Sequence, residues 1–164
     1  MKHEKLAEYA NRQETLKAVL HYFYHENTKS GAHSRYDLKY HLVWITKYRR
    51  SFLEGPLATR LRQIFTEISQ QYRFHIIAQE IMPDHIHILI EAPPTYPPST
   101  IAQIFKSLSS RRLREEYLDT IKQYVWKDGT LWARGYYIAS VAQGVTAEAV
   151  EEYINNQKNE KYRL

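Results

Sequence analysis

Residues 81–90 constrain the fold of this chain more than any other segment. They read Ile-Met-Pro-Asp-His-Ile-His-Ile-Leu-Ile, in which a Pro-Asp turn precedes a run with isoleucine at every even position from 86. Successive side chains of a strand point to opposite faces, so these isoleucines are expected to face a core. His85 and His87 then lie together on the other face. The segment predicts a half-buried strand that can offer two imidazoles to one metal ion.

Composition limits the chain to a single globular domain of ordinary size. Its 164 residues are 43% hydrophobic, which is enough to bury a core. Lys and Arg exceed Asp and Glu by 23 to 18, and the resulting net charge of +5 favours polyanionic partners. The absence of cysteine excludes disulfides, thiolate metal ligands and a cysteine nucleophile. No apolar run approaches the length of a membrane span, so we expect a cytoplasmic protein with no membrane partner.

The order of apolar patterns along the chain predicts an α+β fold. Residues 1–34 are expected to form an N-terminal helical extension and a linker, and residues 35–164 the main domain. The predicted elements of the main domain are a strand over 36–45, a helix from Pro56, strands over 74–81 and 85–90, a helix with Ser99 as N-cap, a strand region over 131–141 and a helix capped by Thr146. This is the ferredoxin-like βαββαβ pattern of an antiparallel sheet with an added C-terminal helix.

The added C-terminal helix carries Tyr153 and Gln157. Side chains four apart share a helix face, so a phenol and an amide oxygen can reach the same point. If the helix closes over the free sheet face, that point is the histidine pair. A metal ion beside a tyrosine suggests cleavage of a phosphodiester by covalent attack. Each component also has a simpler interpretation, because the histidines could be hydrogen-bonded strand residues and Tyr153, one of fourteen tyrosines, could pack against the sheet.

Two groups of cations are candidates for DNA contacts. The first is a turn formed by Lys47, Tyr48, Arg49 and Arg50, where cations flank an aromatic ring that can stack on a base. The second lies on the helix after Ser99 and consists of Lys106, Arg111, Arg112 and Arg114. Both groups could equally be solvated surface. Asp84 is expected to be a turn residue, or alternatively the acceptor that orients a histidine.

Four motifs in order carry a family resemblance. They are Tyr-His-Leu-Val-Trp-Ile-Thr-Lys-Tyr-Arg-Arg from residue 40, Met-Pro-Asp-His-Ile-His-Ile-Leu from 82, Leu-Trp at 131 with Tyr-Tyr-Ile-Ala-Ser-Val from 136, and Glu-Tyr-Ile-Asn-Asn-Gln from 152. Together they closely resemble the TnpA-type single-strand DNA transposases of the insertion sequence 200/605 family, members of the HUH endonuclease superfamily with a single catalytic tyrosine. The chain departs from the usual pattern of this family in two places. It has no glycine directly after Val141, and its first segment of about thirty residues has no counterpart in the family.

The resemblance implies a function and a set of site residues. His85, His87 and Gln157 would bind Mg²⁺ or Mn²⁺, and Tyr153 would attack DNA to give a 5′-phosphotyrosine. The expected partners are single-stranded DNA with hairpins at the element's ends and a second copy of the chain, with active sites that can be shared across the homodimer. One alternative is a domesticated, non-catalytic module that binds hairpins or single strands. Another is a metal-dependent hydrolase of a small phosphoester, which would not need Tyr153.

Overall fold

The computed structural model describes residues 29–31, 33–125 and 130–141. The chain divides into two compact units between Asp37 and Leu38. In the described part of the first unit, β1 (Lys29–Ser30) pairs antiparallel with β2 (Arg35–Tyr36), and the Gly31 amide donates to the Ser34 carbonyl at 2.7 Å. The end of the predicted linker thus pairs with Arg35–Tyr36, which were predicted to belong to the main domain. The helices predicted for residues 1–28 and from Thr146 onward lie outside the described residues.

The second unit contains the predicted sheet and its two helices. Its elements are β3 (Lys39–Ile45), α1 (Gly55–Tyr72), β4 (His75–Ile81), β5 (His85–Glu91), α2 (Pro98–Ile121) and β6 (Tyr137–Val141). The sheet order is β4-β5-β3-β6, and every neighbouring pair is antiparallel. The ferredoxin-like βαββαβ arrangement is confirmed for this part of the chain.

Several predicted boundaries differ from the observed ones. The strand predicted over 36–45 is interrupted, because β2 ends at Tyr36 and β3 begins at Lys39. The prediction of Ser99 as a helix N-cap is wrong, since α2 begins at Pro98, whose fixed φ suits the first helical position and whose nitrogen needs no acceptor. Of the strand region over 131–141, only β6 is a full strand. Trp132 makes a single isolated bridge with Thr46.

The main core lies between the sheet and the two helices. Ile86, Ile88 and Ile90 are fully buried in it, as the alternation of β5 predicts. The helix residues that pack with them follow the 3.6-residue period and include Leu61, Ile64, Phe65, Ile68, Ile101 and Phe105. The ring of Trp44 from β3 meets Phe65 edge-on, at 5.6 Å between centroids. Both helices thus cover one face of the sheet.

The opposite sheet face carries the histidines. Cross-strand partners share a face, and the register pairs His85 with Ile45, and His87 with Val43. Leu89, next along this face, belongs to a separate small cluster and not to the main core. In the described ranges, no helix is long and apolar enough to cross a membrane.

The core assignment can be tested at Ile88. Replacing Ile88 with alanine removes a fully buried side chain between sheet and helices, so we expect the free energy of unfolding to fall by about 2–5 kcal/mol. Leu118→Ala is the matched control, because Leu118 is 58% exposed and its truncation should change stability by less than about 0.5 kcal/mol. Urea denaturation measures both. Equal stability of the two variants would contradict this assignment.

Candidate active site

His85 and His87 lie side by side on the sheet face that the helices leave uncovered. Their positions two apart on β5 bring the ring centroids to 5.1 Å, with the ring planes inclined by 76°. The His85 side chain is 25% exposed, whereas His87 is 6% exposed. The strand therefore presents both imidazoles on one face, as the spacing predicts, and the structure adds that His87 is the more deeply buried.

Asp84 is bonded to His85, the more exposed of the two histidines and here called the outer one. Its Oδ1 lies 2.5 Å from His85 Nδ1, and its Oδ2 accepts a hydrogen bond from Arg49 Nε at 3.2 Å. Burial acts to raise the pKa of Asp84, but the hydrogen bonds and charges of His85 and Arg49 outweigh it and lower that pKa overall. The carboxylate is thus ionised at neutral pH. The structure supports the interpretation of Asp84 as the acceptor that orients a histidine.

His41 contacts His87, the more buried of the two histidines, and the sequence predicts no role for His41. It lies on β3, diagonal to His87, with its Nε2 3.1 Å from His87 Nδ1 and the two rings stacked at 5.3 Å. His41 is only 4% exposed, and burial lowers its pKa. The available signal in the sequence was a histidine directly before the apolar residues Leu42–Ile45 of β3. Its partner could not be found without the strand register.

His85 and His87 supply two of the three metal ligands that the sequence predicts. Nδ1 of each ring faces a hydrogen-bond partner, so Nε2 is the ring nitrogen that would bind a metal. Among the described residues, no group of three or more His, Asp or Glu is placed to hold an ion. The two imidazoles would need a further ligand. Gln157, predicted for that role, and Tyr153 lie outside the described residues.

The turn formed by residues 47–50, called the basic turn, is hydrogen-bonded to the turn that precedes His85 and His87. Thr46, which is fully buried, donates its amide to the Asp84 carbonyl at 2.9 Å and its hydroxyl to the Arg50 carbonyl at 2.8 Å. The amides of Phe52 and Leu53 both donate to Pro83 at 3.0 and 3.1 Å. The basic turn and the turn before β5 are therefore one hydrogen-bonded assembly.

Tyr48 is the most exposed large apolar side chain of the described residues, at 67%. Lys47 Nζ lies 5.5 Å and Arg50 Cζ 5.7 Å from its ring centroid. Tyr48 and Arg49 both have positive φ, 59° and 53°, a conformation that costs free energy for residues other than glycine. The fastened turn maintains this conformation. It presents an aromatic ring beside two cations, an arrangement suited to a base and its phosphates.

The four cations of α2 have different surroundings. Lys106 donates to the carbonyls of Ala133, Arg134 and Gly135 at 2.8, 2.8 and 3.0 Å, and burial lowers its pKa. Arg112 bonds to Glu67 of α1 at 2.7 Å, and so joins the two helices. The Arg111 guanidinium is 63% exposed beside Glu115, and Arg114 Nε bonds to the carbonyl one turn earlier. All four belong to the helix layer, on the side of the sheet opposite the histidines.

The proteins that this chain resembles in sequence are transposases. The family profile described as "Transposase IS200 like" matches residues 34–157. The ISDra2 transposase TnpA of Deinococcus radiodurans is 34% identical over 133 residues, which cover 81% of this chain and 93% of that protein. The transposase for insertion sequence element IS200 of Salmonella typhimurium is 33% identical over 132 residues, covering 80% of this chain and 84% of that protein.

Two solved structures resemble the fold. A candidate transposase from Deinococcus radiodurans R1 has a TM-score of 0.63 at 32% identity, over 79% of this chain and 97% of that one. A REP-associated tyrosine transposase bound to a REP hairpin has a TM-score of 0.52 at 18% identity, over 79% of this chain and 74% of that one. The second similarity concerns the fold alone.

The role of Lys106 can be tested by its removal. Lys106→Met keeps the length of the side chain but leaves three carbonyls without their donor, so we expect the free energy of unfolding to fall by about 1–3 kcal/mol. Arg111→Met is the control, since an exposed pair four residues apart contributes about 0.5 kcal/mol or less. Chemical denaturation compares the two. If Lys106→Met costs no more than the control, its ammonium does not hold the segment before β6.

Proposed function

The chain belongs to the family of IS200-like transposases, and we propose that it is a metal-dependent enzyme that recognises DNA hairpins at insertion-sequence ends and cleaves and rejoins single-stranded DNA. The observation that carries this proposal is the His85–His87 pair with Nδ1 of each ring facing a hydrogen-bond partner. Binding of DNA alone would not require two imidazoles oriented in this way. The alternative of a non-catalytic module is therefore the less favoured one.

The proposed metal ligands are His85 Nε2, His87 Nε2 and Gln157. A bound Mg²⁺ or Mn²⁺ would polarise the scissile phosphate and stabilise negative charge on the leaving oxygen. Two neutral imidazoles and one amide oxygen leave nearly the full charge available for that purpose. Asp84 and the Arg49 beside it would keep the outer ring in place during binding.

Tyr153 is the proposed nucleophile. Its phenol oxygen would form a bond to phosphorus while the bond from phosphorus to the 3′ oxygen breaks, and that oxygen would leave with a proton as a 3′ hydroxyl. The 5′ phosphate would remain on the tyrosine. Attack by another 3′ hydroxyl would reverse these changes and release the phenol. Because the ester keeps the free energy of the original bond, the strand can be rejoined without ATP.

The proposed DNA contacts centre on the basic turn. Lys47, Arg49 and Arg50 would contact phosphates and Tyr48 a base, close to the turn that precedes the histidine strand. A hairpin is the ligand of the REP-associated relative of similar fold, which supports a hairpin as substrate. Arg111 and Arg114 remain proposed phosphate contacts for flanking DNA. Lys106 and Arg112 could join them only by leaving their present partners, whereas Arg49 and Arg50 would use the guanidinium nitrogens that do not bond to Asp84 or to the Tyr124 carbonyl.

We further propose a homodimer that acts in the cytoplasm. The resemblance to TnpA-type transposases implies that the tyrosine helix of one subunit can dock on the histidines of its partner, and the predicted connection after Val141 is short enough to permit either arrangement. In the exchanged arrangement, Tyr153 and Gln157 of one chain would complete the site formed by His85 and His87 of the other. Neither chain would then be active alone.

The central test is trapping of the covalent intermediate. Wild-type protein incubated with Mn²⁺ and a single strand carrying a hairpin and cleavage site from the element's end should give a protein–DNA adduct that survives denaturing gels. Tyr153→Phe deletes only the attacking oxygen, so it should bind the hairpin and give no adduct. His87→Ala should also give none, because it removes a proposed metal ligand.

The outcomes of this experiment separate the candidate functions. An adduct with Tyr153→Phe would identify another nucleophile. Cleavage by wild type without any adduct would indicate that water attacks, which is the hydrolase alternative. Hairpin binding with neither cleavage nor adduct would leave the non-catalytic module. Mass spectrometry of the digested adduct locates the attached residue.

The basic turn makes a separate prediction about binding. Lys47→Gln should weaken hairpin affinity and reduce the slope of log affinity against log salt by about 0.7–0.9, the contribution of one phosphate contact. Tyr48→Ala should weaken affinity by about 1–3 kcal/mol for a stacked base without changing that slope. Arg62→Gln, an exposed cation on α1, is the charge-matched control. If Lys47→Gln keeps the wild-type slope and affinity, the turn is solvated surface.

A further inference from the structure

Three histidines form a connected group on the sheet face of the candidate site. His85 and His87 are neighbours on β5, and the ring of His41 on β3 stacks on that of His87. In the register, His41 lies opposite Leu89, so His87 lies between His41 and His85 along the strands. The ring planes of His41 and His87 are 15° apart, and Tyr137 of β6 meets the His41 ring edge-on at 6.3 Å. His41 is therefore held by packing as well as by its strand.

The contact between His41 Nε2 and His87 Nδ1 restricts where hydrogens can be. A hydrogen bond between two neutral imidazoles needs one N–H and one lone pair. If His87 binds a metal through Nε2, the lone pair must be on that nitrogen, so its hydrogen is on Nδ1. That hydrogen can then be donated to His41 Nε2, which must carry a lone pair, and the hydrogen of His41 is on Nδ1.

We propose that His41 is a positioning residue, which accepts a hydrogen bond from His87 Nδ1 and thereby assigns His87 Nε2 to the metal. This inference rests on the metal role proposed for His87. His41 would not touch the ion or the DNA. It would act by fixing both the tautomer and the ring orientation of a ligand, as partners behind metal-bound histidines generally do.

The two metal histidines are thus held by chemically different acceptors. His85 has the carboxylate of Asp84, which is partly exposed and shared with Arg49. His87 has a buried neutral imidazole on a neighbouring strand. Since β3 lies between β5 and β6, and is paired with both, the position of His41 is fixed by two ladders of backbone hydrogen bonds. His41 is therefore well placed to hold the deeper of the two rings.

The experiment compares two substitutions of His41. His41→Gln keeps a side-chain oxygen that can accept the hydrogen bond, whereas His41→Phe keeps an aromatic ring of similar size and removes the acceptor. The first measurement uses metal-free protein with ¹⁵N-labelled histidine and long-range ¹H–¹⁵N NMR. Wild type and His41→Gln should show His87 with its hydrogen on Nδ1. His41→Phe should show the other tautomer or a mixture.

The second measurement is the affinity for Mn²⁺ alone, by calorimetry or electron paramagnetic resonance. We expect His41→Phe to bind about 10–100-fold more weakly than wild type, the usual effect of losing a partner behind a ligand, and His41→Gln to recover most of the loss. Circular dichroism checks that each variant is folded. If His41→Phe does not fold, the wild-type tautomer still decides, because a hydrogen on His87 Nε2 would overturn the proposal.

Failure of this inference can be told apart from failure of the proposed function. If wild type binds Mn²⁺ and His87→Ala does not, while His41→Phe binds like wild type with an unchanged tautomer, only the role of His41 is wrong. If wild type binds no Mn²⁺, or His85→Ala and His87→Ala bind as well as wild type, the metal site itself is wrong. In that case the tautomer measurement still reports whether His41 accepts the hydrogen bond.

Discussion

The alternation of side chains along β5 is the constraint on which the structure of the second unit depends. Its even positions are the isoleucines of the main core, and its odd positions include both candidate metal ligands. Because strand side chains repeat every two residues, a slip of one residue would move the histidines into the core and the isoleucines out of it. β5 is also paired on both sides, with β3 and β4, so both neighbours fix its register.

Hydrogen bonds between two turns fix the position of the basic turn relative to the histidine strand. Thr46, Asp84 and Pro83 connect the basic turn to the start of β5 through backbone and hydroxyl hydrogen bonds. The side chain of Arg49 reaches the same carboxylate that holds His85. A DNA strand bound at this turn would thus meet the histidines at a distance set by the fold. Such support is what a catalytic geometry needs in order to remain within fractions of an ångström.

The cations of this protein lie in two different kinds of surroundings. In the basic turn, Lys47 and Arg50 lie over the exposed ring of Tyr48, while Arg49 bonds to Asp84 and Arg50 also donates to the Tyr124 carbonyl. On the helices, Arg60 and Arg112 share Glu67, and Arg60 also bonds to Glu116 at 2.6 Å. The hydrogen bonds from Arg60 lower the pKa of Glu116. These helix cations join α1 to α2. The number of basic residues is therefore a poor guide to the size of a DNA interface.

The sequence by itself determined the type and order of the four sheet strands and two helices of the second unit, although not all their boundaries, and which face of β5 carries the histidines. Those features follow from local periodicity, which is two residues in a strand and 3.6 in a helix. The motifs around residues 40, 82, 131 and 152 also determined the family, since several segments in order are more specific than any one of them. The roles of Tyr153 and Gln157 remain predictions.

Only the tertiary structure decided the partners of individual side chains. His41 meets His87 across 46 positions of sequence, and Lys106 meets the carbonyls before β6 across 27 to 29. Neither contact has a local signal, because both depend on which strands pair, in which register, and on how α2 lies against the sheet. A histidine in an apolar strand and a lysine on a helix look ordinary in the sequence. Their partners exist only once the sheet has formed.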